Sequence, residues 1–106
     1  MAVEGMTVTI NHYYSTADVP FPTKEFNGYS MEISKDGEIL EVKISQYSRE
    51  KGGYYNNQTL KKGEEGFEEN VIKVFRALQN YNFQQNSLLK KDFPDLYETL
   101  KVKSES

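Results

Sequence analysis

Two alternating apolar segments joined by Asp36-Gly37 constrain the fold of this chain more than any other feature of its sequence. Apolar and polar residues alternate over 29–34 and again over 40–45, which is the period of half-buried strands. Asp-Gly between such segments is typical of a two-residue type I′ turn, because both central positions of that turn need positive φ. The facing pairs are then Ile33 with Leu40, Met31 with Val42 and Tyr29 with Ile44. A three-residue loop would set Met31 against Glu41, so the two-residue loop is predicted.

The predicted pairing also places two like charges opposite each other. Glu32 faces Glu41 on the polar face of the hairpin, and directly opposed like charges destabilise a strand pair mildly. Lys43 follows Glu41 on the same face. We therefore expect its ammonium group, or a bound cation, to relieve the repulsion.

A further strand precedes the hairpin, and segments without regular alternation lie on either side of the hairpin. Residues 6–13 alternate and are rich in β-branched side chains, which predicts a strand. Residues 14–28 contain Pro20 and Pro22 among Ser, Thr, Asp and Gly, so we expect them to form a connection over the surface. Residues 48–62 contain a Gly-Gly and an Asn-Asn pair and are predicted to form a loop or a loose hairpin.

The period of the pattern changes to that of a helix after residue 64. Apolar residues recur with helical spacing at Phe67, Val71, Val74, Phe75 and Leu78. We expect this helix to end near Tyr81 or Asn82 and residues 83–87 to form a polar linker. Pro94 then opens a short helix, and the tail at 102–106 should fray.

Together these elements predict an α+β fold in a single domain over residues 1–106. Its antiparallel sheet has three to four strands and packs on one long amphipathic helix, and a short C-terminal helix follows. The pattern leaves open whether residues 14–28 add an edge strand.

The composition excludes several kinds of site. The chain has no Cys and a single His, which rules out disulfides, thiol catalysis and zinc sites built on these ligands. No apolar run approaches the roughly 18 residues of a membrane span, and the N-terminus lacks the regions of a secretory signal. We therefore expect a soluble cytoplasmic protein with no membrane contact. No recognised nucleophile, metal or cofactor pattern is present, so neither an enzyme nor a bound cofactor is predicted.

Positive charge is concentrated in one segment of an otherwise acidic chain. The net charge is -3, yet residues 49–62 carry four basic residues and one acidic residue. Tyrosines are interleaved with these cations, and the candidate binding residues are Lys43, Tyr47, Arg49, Lys51, Tyr54, Tyr55, Lys61 and Lys62. Cations that hold phosphates, beside rings on which bases stack, are the combination that single-stranded nucleic acid binding requires. We therefore expect a nucleic acid to bind on the face of the sheet that the helix leaves open and on the loop at 47–62. A solvated loop, a strand edge or a protein-binding tip would have the same composition.

Several motifs in the middle of the chain follow one another in a recognisable order. The segments ILEVKISQY, SREKGGYY and LKKG lead into an acidic amphipathic helix. This order, over 37–78, resembles the positive cofactor four family of single-stranded DNA-binding coactivators and their bacterial and phage relatives. The resemblance implies a twisted antiparallel sheet backed by a helix through which the protein forms a homodimer. It also implies that the contacts to strand phosphates and bases are made by Tyr47, Arg49, Lys51, Lys61 and Lys62.

A second class of protein fits the same composition. Small, Cys-free, acidic α+β proteins rich in Tyr also resemble the inhibitors that phages and mobile elements encode, such as anti-CRISPR proteins, which occlude a nucleic-acid site on an enzyme. The contact surface would then be the acidic one formed by Glu32, Glu38, Glu41 and residues 64–69. This alternative predicts a protein partner and acidic residues on the contact surface, whereas nucleic-acid binding predicts basic residues there.

Overall fold

Four antiparallel strands form one sheet, and three helices follow it in the chain. The computed structural model describes residues 5–15, 24–48 and 52–105. The strands are β1 (Met6–Ser15), β2 (Lys24–Ile33), β3 (Ile39–Ser48) and β4 (Gly53–Lys61), in the spatial order β1-β2-β3-β4. The helices are α1 (Phe67–Tyr81), α2 (Phe83–Asp92) and α3 (Pro94–Glu105). The α+β class and the antiparallel sheet are confirmed.

The turn between β2 and β3 has a three-residue loop, so the two-residue prediction is wrong. The Gly37 N–H donates to the Ser34 carbonyl oxygen at 3.0 Å, and the Ser34 N–H donates to the Glu38 carbonyl oxygen at 2.8 Å. Gly37 has a φ of 82°, the left-handed conformation that follows a type I turn in a three-residue hairpin loop. The turn does require a glycine, but Gly37 is the last of three loop residues and not the second of two.

A β-bulge at Leu40 compensates for the extra loop residue. Ile33 pairs with Ile39 and the next pair is Glu32 with Glu41, so the ladder skips Leu40. Leu40 is 40% exposed, although the sequence register placed it on the buried face. Beyond the bulge the predicted pairs of Met31 with Val42 and Tyr29 with Ile44 are confirmed.

The structure contains both the predicted pair of like charges and the lysine that was expected to relieve the repulsion between them. Glu32 and Glu41 are Cα partners. The Lys43 ammonium nitrogen lies 3.4 Å from Glu41 Oε1. The lysine therefore offsets the repulsion between the two opposed carboxylates.

A segment predicted to be a surface connection and one predicted to be a loop or a loose hairpin both contribute to strands. β2 begins at Lys24, so residues 24–28 extend the hairpin. β4 pairs antiparallel with β3, which is the hairpin alternative for 48–62. Pairing explains the first case, because residues 24–28 lie between β1 and β3, and this pairing overrides the weak strand propensity of Asn and Gly. Residues 16–23 and 49–51 lie outside the described part of the chain.

α1 presents the predicted apolar stripe to one face of the sheet. All five stripe residues, Phe67, Val71, Val74, Phe75 and Leu78, are buried, and the helix ends at Tyr81 as expected. They share one cluster with the strand residues Val8, Ile10, Met31, Ile33, Val42 and Ile44. Because each large side chain contributes about 1.5–3 kcal/mol when fully buried, this layer is a major source of stability.

Two further helices join the core, where the sequence predicted a linker and one short helix. Residues 83–87 are the first half of α2, and Asn82 caps this helix by accepting the Gln85 N–H at 3.2 Å. The cluster gains Leu89, Phe93, Tyr97 and Leu100. α3 continues to Glu105, so the tail that was expected to fray is helical over 102–105. None of the helices in the described part of the chain is long and apolar enough to cross a membrane.

The start of α2 covers the outer edge of β1. Gln85 Oε1 accepts from the Thr9 N–H at 2.8 Å, and the Asn82 side-chain amide donates to the Thr9 carbonyl oxygen at 3.2 Å. Two backbone groups on the sheet edge are thus satisfied by side chains. Covering an edge in this way hinders edge-to-edge pairing between sheets.

Replacing Leu89 by Ala should lower the free energy of unfolding by about 2–5 kcal/mol, because it removes a side chain that is 0% exposed. Leu88→Ala is the matched control: this neighbour is 43% exposed, and we expect a loss below about 1 kcal/mol. Urea unfolding followed by far-UV circular dichroism measures both. Equal losses in the two variants would show that α2 is not packed into the core.

Candidate nucleic-acid interface

The sheet face that points away from the helices is called the open face here. Strand residues alternate between the two faces of a sheet, so the neighbours of the buried positions lie on the open face. Its described side chains are Thr7, Thr9, Asn11, Phe26, Ser30, Glu32, Glu41, Lys43, Ser45, Tyr47, Tyr54, Asn57, Thr59 and Lys61. This is the face that the nucleic-acid hypothesis assigns to the ligand.

Three aromatic side chains, Phe26, Tyr47 and Tyr54, gather on this face and form what we call the aromatic corner. Tyr47 is the Cα partner of Phe26 on one side and of Tyr54 on the other. The rings of Tyr47 and Tyr54 meet edge to face with centroids 5.2 Å apart, a favoured arrangement of aromatic rings. A register shift after Gln46 creates this contact, because it skips one residue of β4 and sets Tyr54 opposite Tyr47.

Gly28 leaves room for the ring of Phe26. A Cβ atom at Gly28 would lie 2.8 Å from Phe26 Cζ, so the ring occupies the space of a side chain. Phe26, Lys43 and Tyr54 help to line a shallow pocket of about 200 Å³. Because Tyr54 is 65% exposed, the corner is an accessible aromatic platform beside a cation.

The described charges on the open face balance one another. Lys43 lines the pocket and contacts Glu41, while Lys61 is the Cα partner of the same glutamate. Glu32 adds the second carboxylate. Since the side chains described on this face thus include two lysines and two glutamates, Coulomb attraction to a polyanion is weak there, and base stacking is the stronger contribution.

The predicted site residues divide into three groups. Lys43, Tyr47 and Tyr54 come together at the aromatic corner, and Lys61 lies on the same face at the far end of β4. Lys62 lies toward the helices, where its ammonium group pairs with Glu38 and it lines a pocket against α1 and α3. Outside the described part of the chain are Arg49, Lys51 and the side chain of Tyr55.

Phe26 is the residue of the aromatic corner that the sequence reasoning missed. The 14–28 segment was expected to be a surface connection, whereas Phe26 belongs to β2. The spacing of Phe26, Gly28 and Ser30 continues the two-residue period of the hairpin upstream of Tyr29, and this was the signal that could have identified it.

Part of the acidic surface of the alternative hypothesis is engaged in contacts within the protein. Glu38 pairs with Lys62, Glu41 with Lys43 and Glu68 with Lys103. Glu64 Oε1 accepts from the Lys61 backbone N–H at 3.2 Å. Each exposed ion pair contributes little energy, and together the three pairs compensate part of the negative charge on this surface.

The His12 side chain packs on an aromatic ring, and the acidic residues form no metal-binding group within the described part of the chain. His12 is the single His of the chain, and its ring stacks on that of Tyr81 with centroids 4.0 Å apart. Over residues 5–15, 24–48 and 52–105, no group of three or more His, Asp or Glu side chains could hold a metal ion.

Comparison of the chain with protein-family models, with curated proteins and with solved structures finds no match. The candidate interface therefore rests on the geometry of the open face itself.

Replacing Gly28 by Ala should displace the Phe26 ring, because the new methyl carbon would lie 2.8 Å from Phe26 Cζ. The contact is with the far end of a side chain that can rotate, so stability should fall by less than about 1 kcal/mol. Nuclear Overhauser contacts between the Phe26 ring and residue 28 measure the displacement. Unchanged ring contacts in the variant would show that the ring does not lie over Gly28.

Proposed function

We propose that this protein binds single-stranded nucleic acid on the open face of its sheet and catalyses no reaction. The observation that carries the proposal is the aromatic corner, where the exposed Tyr54 ring lies beside Phe26, Tyr47 and the Lys43 side chain. Stacking on such rings contributes about 1–3 kcal/mol per base and accepts every base. The bases of a single strand can be splayed onto a flat aromatic surface, whereas those of a duplex are already stacked on each other.

Polar side chains around the aromatic corner suit the edges of a stacked base. The pocket is also lined by Thr9, Asn11, Ser30 and Ser45. The Ser45 hydroxyl donates to Asn57 Oδ1 at 3.1 Å, which orients that amide on the same face. Hydroxyl and amide groups both donate and accept hydrogen bonds, so these residues support binding with little base preference.

Cations add a smaller contribution that depends on salt. Lys43 and Lys61 lie on the open face. Ser48 and Gly53 are Cα partners next to the Tyr47–Tyr54 pair, and the chain that joins them carries Arg49 and Lys51. Together with Arg49 and Lys51, to which the sequence hypothesis assigns phosphate contacts, the two lysines of the open face give four cations for the proposed interface, which partly offset the net charge of -3.

The acidic protein-binding alternative has less support than nucleic-acid binding. Three of the seven carboxylates on its proposed contact surface, those of Glu38, Glu41 and Glu68, form ion pairs with lysines. A partner that recognises acid would have to displace these lysines first. Homodimerisation through a helix, which the family resemblance implies, stays a prediction.

Replacing Tyr54 by Ala should weaken binding of an oligo-dT strand by on the order of tenfold, because a stacking surface for one base is lost. The matched control is Phe83→Ala, which removes a ring that is 73% exposed on α2 rather than on a strand of the sheet. Fluorescence anisotropy titration at low salt measures both affinities. No binding by the unmodified protein, or equal losses in the two variants, would refute the proposed interface.

The salt dependence of binding should show the contribution of each lysine separately. Four phosphate contacts predict a slope of log K against log salt of about -3, and Lys43→Ala or Lys61→Ala should each reduce its magnitude by about 0.7. Lys91→Ala on α2 is exposed and should leave the slope unchanged. Repeating the anisotropy titration over a salt series gives the slopes, and a slope that Lys43→Ala and Lys61→Ala do not alter would contradict these contacts.

A further inference from the structure

A second concave site lies on the helix-facing side of the sheet. Beyond the apolar cluster this side becomes polar, and a cleft of about 350 Å³ separates it from α1. The sheet contributes the amides of Gln46, Asn56 and Gln58 to the cleft, and α1 contributes Lys73, Arg76 and Tyr81. A cleft of this volume is within the range of small-molecule sites.

The sheet side of the cleft, called the amide wall here, is held in place by hydrogen bonds. Gln46 Nε2 donates to Asn27 Oδ1 at 3.2 Å, and Gln46 Oε1 accepts from Asn56 Nδ2 at 2.7 Å. Gln58 Oε1 accepts from Asn70 Nδ2 at 3.0 Å. Each side-chain amide has two N–H donors and an oxygen with two lone pairs. The hydrogen bonds between these amides do not use all of those donors and acceptors, so some are available to a ligand. The amide wall therefore suits a flat ring with donors and acceptors on its edge.

The helix side of the cleft is cationic. Lys73 and Arg76 line it, and none of the described residues around the cleft is acidic, although the chain has 16 acidic residues against 13 basic ones. Arg76 Nη2 donates to the Ser104 carbonyl oxygen at 2.7 Å, which positions a guanidinium group with further N–H donors. A cleft lined by two cations and by no described acidic residue favours an anionic ligand.

Tyr81 adds an aromatic surface to the same cleft. Its ring stacks on His12 at an interplanar angle of 18°, which holds the ring in place, and the residue is still 51% exposed. A positioned and accessible ring stacks on planar ligands. The cleft thus combines a surface for a ring, an amide wall for the edge of that ring and two cations for an anionic group.

From these three features we infer that the cleft binds a phosphorylated small molecule with a flat, hydrogen-bonding ring, of which a nucleoside monophosphate is the simplest form. The phosphate lies against Lys73 and Arg76, and the edge of the ring lies against the amide wall. The site is on the opposite side of the sheet from the aromatic corner, so it does not depend on the proposed nucleic-acid interface.

Isothermal titration calorimetry with the four common nucleoside monophosphates tests the site directly. We expect saturable binding of at least one of them, and binding at least about tenfold weaker for the matching nucleoside and for ribose 5-phosphate, since each lacks one of the two groups recognised. Ribose 5-phosphate binding as tightly as the nucleotide would overturn the assignment, as would no binding at all.

Variants locate the ligand within the molecule. Lys73→Gln combined with Arg76→Gln should weaken nucleotide binding by at least about tenfold, whereas Lys91→Gln combined with Lys101→Gln changes the net charge equally on exposed helix positions and should leave binding unchanged. Gln58→Glu retains the acceptor for Asn70 and should also weaken binding, because it places a carboxylate in the cleft. Equal losses in the paired lysine control, or tight binding by Gln58→Glu, would overturn the site.

The proposals for the two ligand sites can be refuted independently of each other. Tyr54→Ala alters the open face and should leave mononucleotide affinity unchanged, and the Lys73 and Arg76 variant should leave oligo-dT affinity within about twofold. Loss of mononucleotide binding in Tyr54→Ala would place the small ligand on the open face and refute the cleft.

Discussion

The packing of α1 on one face of the sheet is the interaction on which the rest of the structure depends. Six strand residues and the helix stripe form a single buried cluster, and an antiparallel sheet with one face covered leaves the other face free for polar and aromatic side chains. The cluster does not reach the whole helix-facing side, because Gln46 and Asn56 follow Ile44 and Gln58 on the same face. One layer of apolar contacts thus fixes both the open face and the polar cleft.

The elements that were predictable from the sequence are those with a local period. The alternation around the hairpin and the helical spacing of the α1 stripe each report which side of an element is buried. The stripe is confirmed at all five positions, and the alternation is confirmed except at Leu40, which is exposed. The loop length was not predictable in the same way, since glycine in a left-handed conformation suits either turn. Only the whole ladder, with its bulge at Leu40, distinguishes the two loops.

Elements whose polar side chains serve tertiary contacts were missed. α2 buries Leu89 among polar residues, so its apolar pattern is too weak to predict a helix, and its amides instead cover the edge of β1. β4 is rich in Asn and Gln because Asn56 and Gln58 form part of a side-chain network across the sheet and to α1. For the candidate interface, composition identified Tyr47 and Tyr54, but Phe26 required the full extent of β2.

The bulge at Leu40 has a consequence for changes in chain length. Ile39 pairs with Ile33, and Glu41 pairs with Glu32, so these two residues would alternate regularly between the faces if nothing stood between them. Position 40 therefore has no partner in the pairing of β2 with β3. A chain shorter by that one residue retains every later pair of β3, so a deletion there leaves in place the aromatic rings and the amides that lie further along the strand.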